Sequence, residues 1–107
     1  MPRHLQRLRN GIIVTAEFLA WLEQTLEQEA ARHPGKQPVF ECLRFHPDSR
    51  PDGTESFWWQ LEWHPPAAAG HGVSEPIGGR TLWFTRAARH TLRDRCLDLH
   101  EGQPCLR

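Results

Sequence analysis

The chain has no tyrosine, no excess of charge of either sign, no long apolar run and no closely spaced pair of cysteines. Each absence removes a class of protein. Thirteen basic residues balance thirteen acidic ones, so no global field draws the molecule to nucleic acid or to an anionic membrane, and any such attraction has to come from a local patch. The basic opening Met1-Pro2-Arg3-His4-Leu5-Gln6-Arg7-Leu8-Arg9 has no hydrophobic stretch behind it. Ile12 to Ala16 is too short for a signal-peptide core or a membrane span, so a cytoplasmic protein without membrane contact is expected. The three cysteines, Cys42, Cys96 and Cys105, are odd in number and lack CxxC spacing, which points to neither a disulfide framework nor a zinc ribbon. Ser49, Ser56 and Ser74 lack a Gly-x-Ser-x-Gly elbow, and neither Gly70-His71-Gly72 nor Gly78-Gly79 forms a phosphate-cradling fingerprint. An enzyme is not expected.

What is present suits one small domain of 107 residues, with residues 1–10 expected to be mobile and the core to run from about 12 to 100. Five Trp and five Phe can bury much apolar area per residue, and nine Pro with eight Gly punctuate three loops, of which Pro65 to Gly72 is the richest. Thr15 is a good helix N-cap, with Glu17 at the positive end of the dipole. Phe18, Leu19, Leu22, Leu26 and Ala30 then recur at spacings of three and four, predicting a helix from about Ala16 to His33, stopped by Pro34-Gly35. Two strands follow. Val39–His46 places Val39, Leu43 and Phe45 on one face, and Phe57–Trp63 places Phe57, Trp59, Leu61 and Trp63 on one face, with an Asp-Gly hairpin loop over Pro47–Thr54 between them. Val73–Ile77 reads as an edge strand because of Pro76. Arg80–Phe84 is a strand, Thr85 caps a helix to about Arg95, and Cys96–His100 closes as a strand. Antiparallel strands beside two helices indicate an α+β fold: a small antiparallel or mixed sheet, or half-barrel, with two helices. The expected core is Phe18, Leu22, Leu26, Leu43, Phe45, Trp59, Leu61, Leu82, Phe84, Leu92, Leu97 and Leu99.

The Thr-capped first helix after Ile12-Ile13-Val14, the strand Ile77–Phe84 and the segment Leu92-Arg93-Asp94-Arg95-Cys96-Leu97-Asp98 together resemble the A-type iron–sulfur carriers, a HesB-like family. In that family the last segment reads Leu-x-Gly-x-x-x-Asp, so Asp94 stands in the glycine position and Asp98 keeps the acidic one. The resemblance implies a HesB-like scaffold. It does not extend to the family's three cluster-binding cysteines, since His46–Thr54 holds no cysteine and Pro104-Cys105-Leu106-Arg107 shows no Cys-x-Cys pattern. A non-catalytic binding or adaptor protein without a cofactor is therefore expected. The alternative is a divergent carrier of an iron–sulfur cluster or single metal ion using Cys96 and Cys105, across a dimer.

Two sets of residues carry candidate chemistry. Cys96, Asp98 and His100 share a face of a regular strand and, with Cys105, form the metal-ligand set of the alternative reading; against it, Cys96 reads as a small buried hydrophobe, with Asp98 and His100 solvated. Arg86, Arg89 and Arg93 share a helical face, and Trp58 points away from the main core face, so these four are the expected partner-binding residues. A protein partner is preferred to nucleic acid on the chain's overall neutrality.

Overall fold

The computed structural model describes residues 4–66 and 72–107, and of residues 45–49 the backbone alone. Most of the Pro65–Gly72 loop, His71 included, lies outside the described residues. Strands β1 (Leu5–Arg7) and β2 (Ile13–Thr15) lead into helix α1 (Ala16–Ala30), followed by β3 (Gln37–Ser49), β4 (Glu55–His64), β5 (Gly72–Ile77) and β6 (Arg80–Thr85). Helix α2 (Arg86–Thr91) and strands β7 (Cys96–His100) and β8 (Gln103–Leu106) are the last elements among the described residues. The eight strands form a single mixed sheet in the order β1-β2-β7-β8-β4-β3-β6-β5, parallel at β2–β7 and β3–β6 and antiparallel elsewhere. This is the expected α+β class.

Both helices start where a threonine can satisfy a free N–H of the first turn. Thr15 is extended, and its hydroxyl accepts from the Phe18 N–H at 3.1 Å; Thr85 does the same for Ala88 at 3.0 Å. Both end earlier than the periodicity predicts. α1 stops at Ala30, short of His33, and unwinds through turns ahead of Pro34, which disfavours helical backbone in the residue before it. α2 stops at Thr91, and Asp94 then takes a φ of 61°, the left-handed region that ends helices and that Asp tolerates better than most residues.

The core joins α1 to the sheet. Phe18, Leu22 and Leu26 are buried against Phe40, Leu82, Phe84, Leu97 and Leu106, with the Phe40 and Phe84 rings 5.6 Å apart. Trp21 meets Trp59 edge to face at 5.6 Å, extending the apolar stripe around the helix. The face expected for β3 is corrected. Phe40 and Cys42 stand opposite Leu61 and Trp59 and are buried, while Leu43 is half-buried opposite exposed Trp58; the side chain of Phe45 lies outside the described residues. Glu41 breaks the alternation in the sequence, so the phase is decided by which residues face β4's aromatic side.

Further differences concern boundaries. The expected Pro47–Thr54 loop is shorter, because β3 continues to Ser49 after a shift of register between Leu43 and Asp48, leaving the turn at Arg50–Thr54. Leu5–Arg7, in the stretch expected to be mobile, pairs with β2, and Leu8 behind it is buried. The core also continues past residue 100, where Pro104, Cys105 and Leu106 of β8 are buried. Gly72 is required at its place: a Cβ there would collide with the Phe84 carbonyl oxygen on the neighbouring strand. Gly78 and Gly79, with φ of 56° and 81°, make the two-residue turn from β5 to β6.

Leu22 is 1% exposed in the middle of α1, so Leu22→Ala is expected to lower unfolding stability by about 2–5 kcal/mol. Gln24→Ala, on the exposed side, should change it by no more than about 0.5 kcal/mol. Chemical denaturation of the two variants checks this, and equal effects would contradict the packing of α1.

Candidate functional site

A cleft of about 570 Å³ opens between the β1–β2 turn and α2 with its exit loop. The turn is tightly organised. Leu8 N–H donates to Ile12 O at 2.7 Å, Gly11 N–H to Leu8 O at 2.9 Å, and Ile12 N–H to Asn10 Oδ1 at 3.0 Å. Glu75 of β5, at 3% exposure, accepts from the backbone N–H groups of Arg9 at 3.0 Å and Asn10 at 3.2 Å. One edge strand thus holds the hairpin that begins the opposite edge, and one wall of the cleft is anchored by a carboxylate far away in sequence.

The other wall comes from α2 and the turn after it. Ala88 on the helix and Leu92 at its cap are buried against the sheet, which leaves Arg86 and Arg89 exposed on the helix and Arg93 exposed in the turn beyond it, not on the shared helical face that was expected. All three line the cleft, joined by Arg7 from β1 and Arg95 from the exit loop, with His90 beside them and Asp94 the single acidic residue among the lining. Trp58 is 41% exposed on β4 but is not part of the cleft. Three of the four expected partner-binding residues are therefore brought together, and Trp58 is not.

Arg95 is also tied from behind. Its Nη2 lies against Glu55 Oε1, and Arg44 grips the same carboxylate with Nε and Nη2, both at 3.0 Å. Burial, with Arg44 adding to it, pulls the Arg95 guanidinium below the ordinary arginine range. Glu55 is 5% exposed, and two guanidiniums offset the cost of burying its charge.

The cysteine-bearing strands serve a different purpose. Asp98 is not solvated, as the simplest sequence reading has it, but fully buried. Its Oδ1 accepts from the Thr15 hydroxyl at 2.9 Å and the Leu99 N–H at 2.8 Å, and its Oδ2 from Arg107 Nε at 2.8 Å. Cys105 faces Asp98 across the β7–β8 pair, and burial, with the Asp98 charge adding to it, pushes its thiol up. Cys42 lies on β3, where burial and then Glu41 push its thiol up to about 12. His100 Nδ1 is 3.3 Å from Asp52. An iron–sulfur cluster needs converging thiolates, and a metal ion needs ligands free to turn toward it. Cys96, Asp98, His100 and Cys105 do not fit either demand: both thiols are buried, and the carboxylate between them is already engaged by three donors. Among the described residues no group of three or more His, Cys, Asp or Glu is arranged to hold a metal ion. No helix among them is long and apolar enough to cross a membrane.

No family model, curated protein or solved structure matches this chain.

Sequence reasoning missed Arg7, Asn10 and Arg95 as partners of the arginine stripe, and Glu75 and Glu55 as their supports. Helical spacing signals Arg86, Arg89 and Arg93, but nothing local joins residue 7 to residue 93. Glu75 alternates along β5 with exposed Ser74 and Pro76, and that phase, opposite to a solvated carboxylate, is the one signal that marked it.

Glu75→Ala leaves two backbone N–H groups without an acceptor, and a loss of about 1–3 kcal/mol in stability is expected, with faster amide exchange at Arg9 and Asn10 than elsewhere. Exchange at those amides unchanged from the parent chain would contradict the anchoring role. A second expectation concerns acid. Hydrogen bonds from Thr54 hold the Asp52 carboxyl at about 2, below its ordinary 3.8, with His100 and Arg107 adding smaller attractions. A depressed folded-state value stabilises the fold above the unfolded value, so this contribution is present above about pH 4 and fades as pH falls toward 2. The stability difference between the parent chain and Asp52→Asn should shrink over that interval, which denaturant midpoints between pH 5 and pH 2 measure.

Proposed function

We propose that this chain is a non-catalytic binding protein, on a scaffold resembling the A-type carriers without their cluster ligands, whose arginine-lined cleft takes an acidic segment of a protein partner. The observation that carries this reading is the gathering of Arg7, Arg86, Arg89, Arg93 and Arg95 on one cleft in a chain of zero net charge. Arginine is suited to the task because its planar fork donates two parallel hydrogen bonds to a carboxylate and is weakly hydrated. A local positive field in a concave site also speeds the approach of an anionic segment. Among the described lining residues there is no Phe or Trp and His90 supplies the one aromatic ring, whereas single-strand nucleic-acid grooves usually stack successive bases on several aromatic side chains. That favours a protein over nucleic acid.

The test uses a labelled oligoglutamate peptide and the Arg89→Glu, Arg93→Glu double variant. Both side chains are exposed, so the melting temperature should stay close to that of the parent chain. Affinity should fall by more than about tenfold, and binding to the parent chain should weaken as salt is raised, because the contacts are charge-assisted and solvent-accessible. A double variant that holds the peptide as tightly as the parent chain would reduce the stripe to a solvated face.

A further inference from the structure

We infer that the cleft is built to receive a phosphate group in preference to carboxylates alone, an inference that rests on the anion-binding reading above. Three buried donors on lining residues have no hydrogen-bond acceptor: Asn10 Nδ2 and Arg95 Nε and Nη2. Neither side chain is free to turn away. Asn10 Oδ1 accepts from the Ile12 N–H at 3.0 Å, which settles which end of the amide is oxygen and holds Nδ2 in place. Arg95 is held by its ion pair with Glu55. A buried N–H without an acceptor is costly, and such groups in a folded protein mark a place where an acceptor belongs. The group that meets both must carry oxygens and no competing donors.

Charge narrows the class. Glu55 already serves Arg95 and Arg44, which leaves Arg7, Arg86, Arg89 and Arg93 opposed in the lining by Asp94 alone. A carboxylate brings one charge and two oxygens. A phosphomonoester brings nearly two charges and three strong acceptor oxygens, which suits a lining that gathers several guanidiniums and the further N–H donors of Asn10 and Arg95. The phosphate could be borne by a phosphorylated side chain of a partner or by a free phosphorylated small molecule; the chemistry recognised is the same.

The experiment titrates the isotope-labelled full chain, at constant ionic strength, with four probes: inorganic phosphate, a phosphoserine peptide, the same peptide with glutamate in place of phosphoserine, and oligothymidylate. The phosphoserine peptide is expected to bind at least about tenfold more tightly than its glutamate counterpart and to shift the Asn10 side-chain amide and the Arg95 Nε–H resonances. Asn10→Asp keeps an oxygen for the Ile12 N–H, removes the donor and places a negative charge beside the anion, and should weaken phosphopeptide binding by about 10- to 100-fold; Arg95→Lys separates the lost donor from the added charge. Arg95→Lys, which keeps the charge and removes Nε–H, gives an independent readout should Asn10→Asp fail to fold, with a similar loss expected. Inorganic phosphate binding as tightly as the phosphopeptide supports the proposal with a small-molecule source, and tighter binding of the peptide supports it with a protein source. Equal affinity for the two peptides overturns the phosphate preference and leaves the acidic-segment reading standing. Oligothymidylate binding alone, or no binding by any probe, overturns both.

Discussion

The Glu75 carboxylate is the contact on which the arrangement of this molecule depends. It sits on the edge strand β5, yet its hydrogen bonds go to Arg9 and Asn10, in the turn that joins the strands of the opposite edge. An open sheet of this order could leave those edges apart, each with unpaired backbone groups exposed to other chains. Bringing them together curls the sheet over α1 and places the β1–β2 turn beside α2. That closure, together with the pairing of β2 to β7 and the burial of Leu8 and Ile12, fixes Arg7 and Asn10 relative to Arg89 and Arg93.

Two other buried carboxylates repeat the principle. Asp98 ties β7 to Thr15 at the start of α1 and to Arg107 beyond β8, and Glu55 ties Arg44 of β3 to Arg95 after α2. In each case the partners are distant in sequence and the acid is nearly or fully buried. Burying a carboxylate is costly unless its oxygens are met by well-placed donors, so each site tolerates few alternative arrangements. In a small domain with three free cysteines and no disulfide, these acids fix the relative positions of elements that apolar packing alone would hold less specifically. The same networks occupy Asp98 and enclose Cys105, and that is why the strand face best equipped with ligand-type residues does not suit a metal.

Local chemistry made much of the fold legible. The threonine caps of both helices, the four-residue spacing of Phe18, Leu22 and Leu26, the clean alternation of Phe57 to Trp63 and the edge placement forced by Pro76 all depend on neighbours within a few residues. The β3 face was misread because Glu41 interrupts its pattern, and a period of two leaves no partial answer: one slip exchanges Phe40 and Cys42 for Leu43. Strands β1 and β8 were hidden for another reason. Three and four residues are too few to show periodicity, and Leu5, Gln6 and Arg7 are all exposed, so only pairing with β2 makes them a strand.

The sequence by itself determined the class of the molecule and its individual parts: one α+β domain, two threonine-capped helices, arginines on and just after the second, and cysteines spaced for neither disulfide nor zinc. Those properties follow from composition and from contacts between near neighbours. Only the tertiary structure decided what faces those arginines. Arg7, Asn10 and Arg95 join Arg86, Arg89 and Arg93 because the two edges of the sheet meet through Glu75 and because Glu55 holds Arg95 in place. Both depend on groups far apart along the chain finding one another, and no local pattern encodes such a meeting.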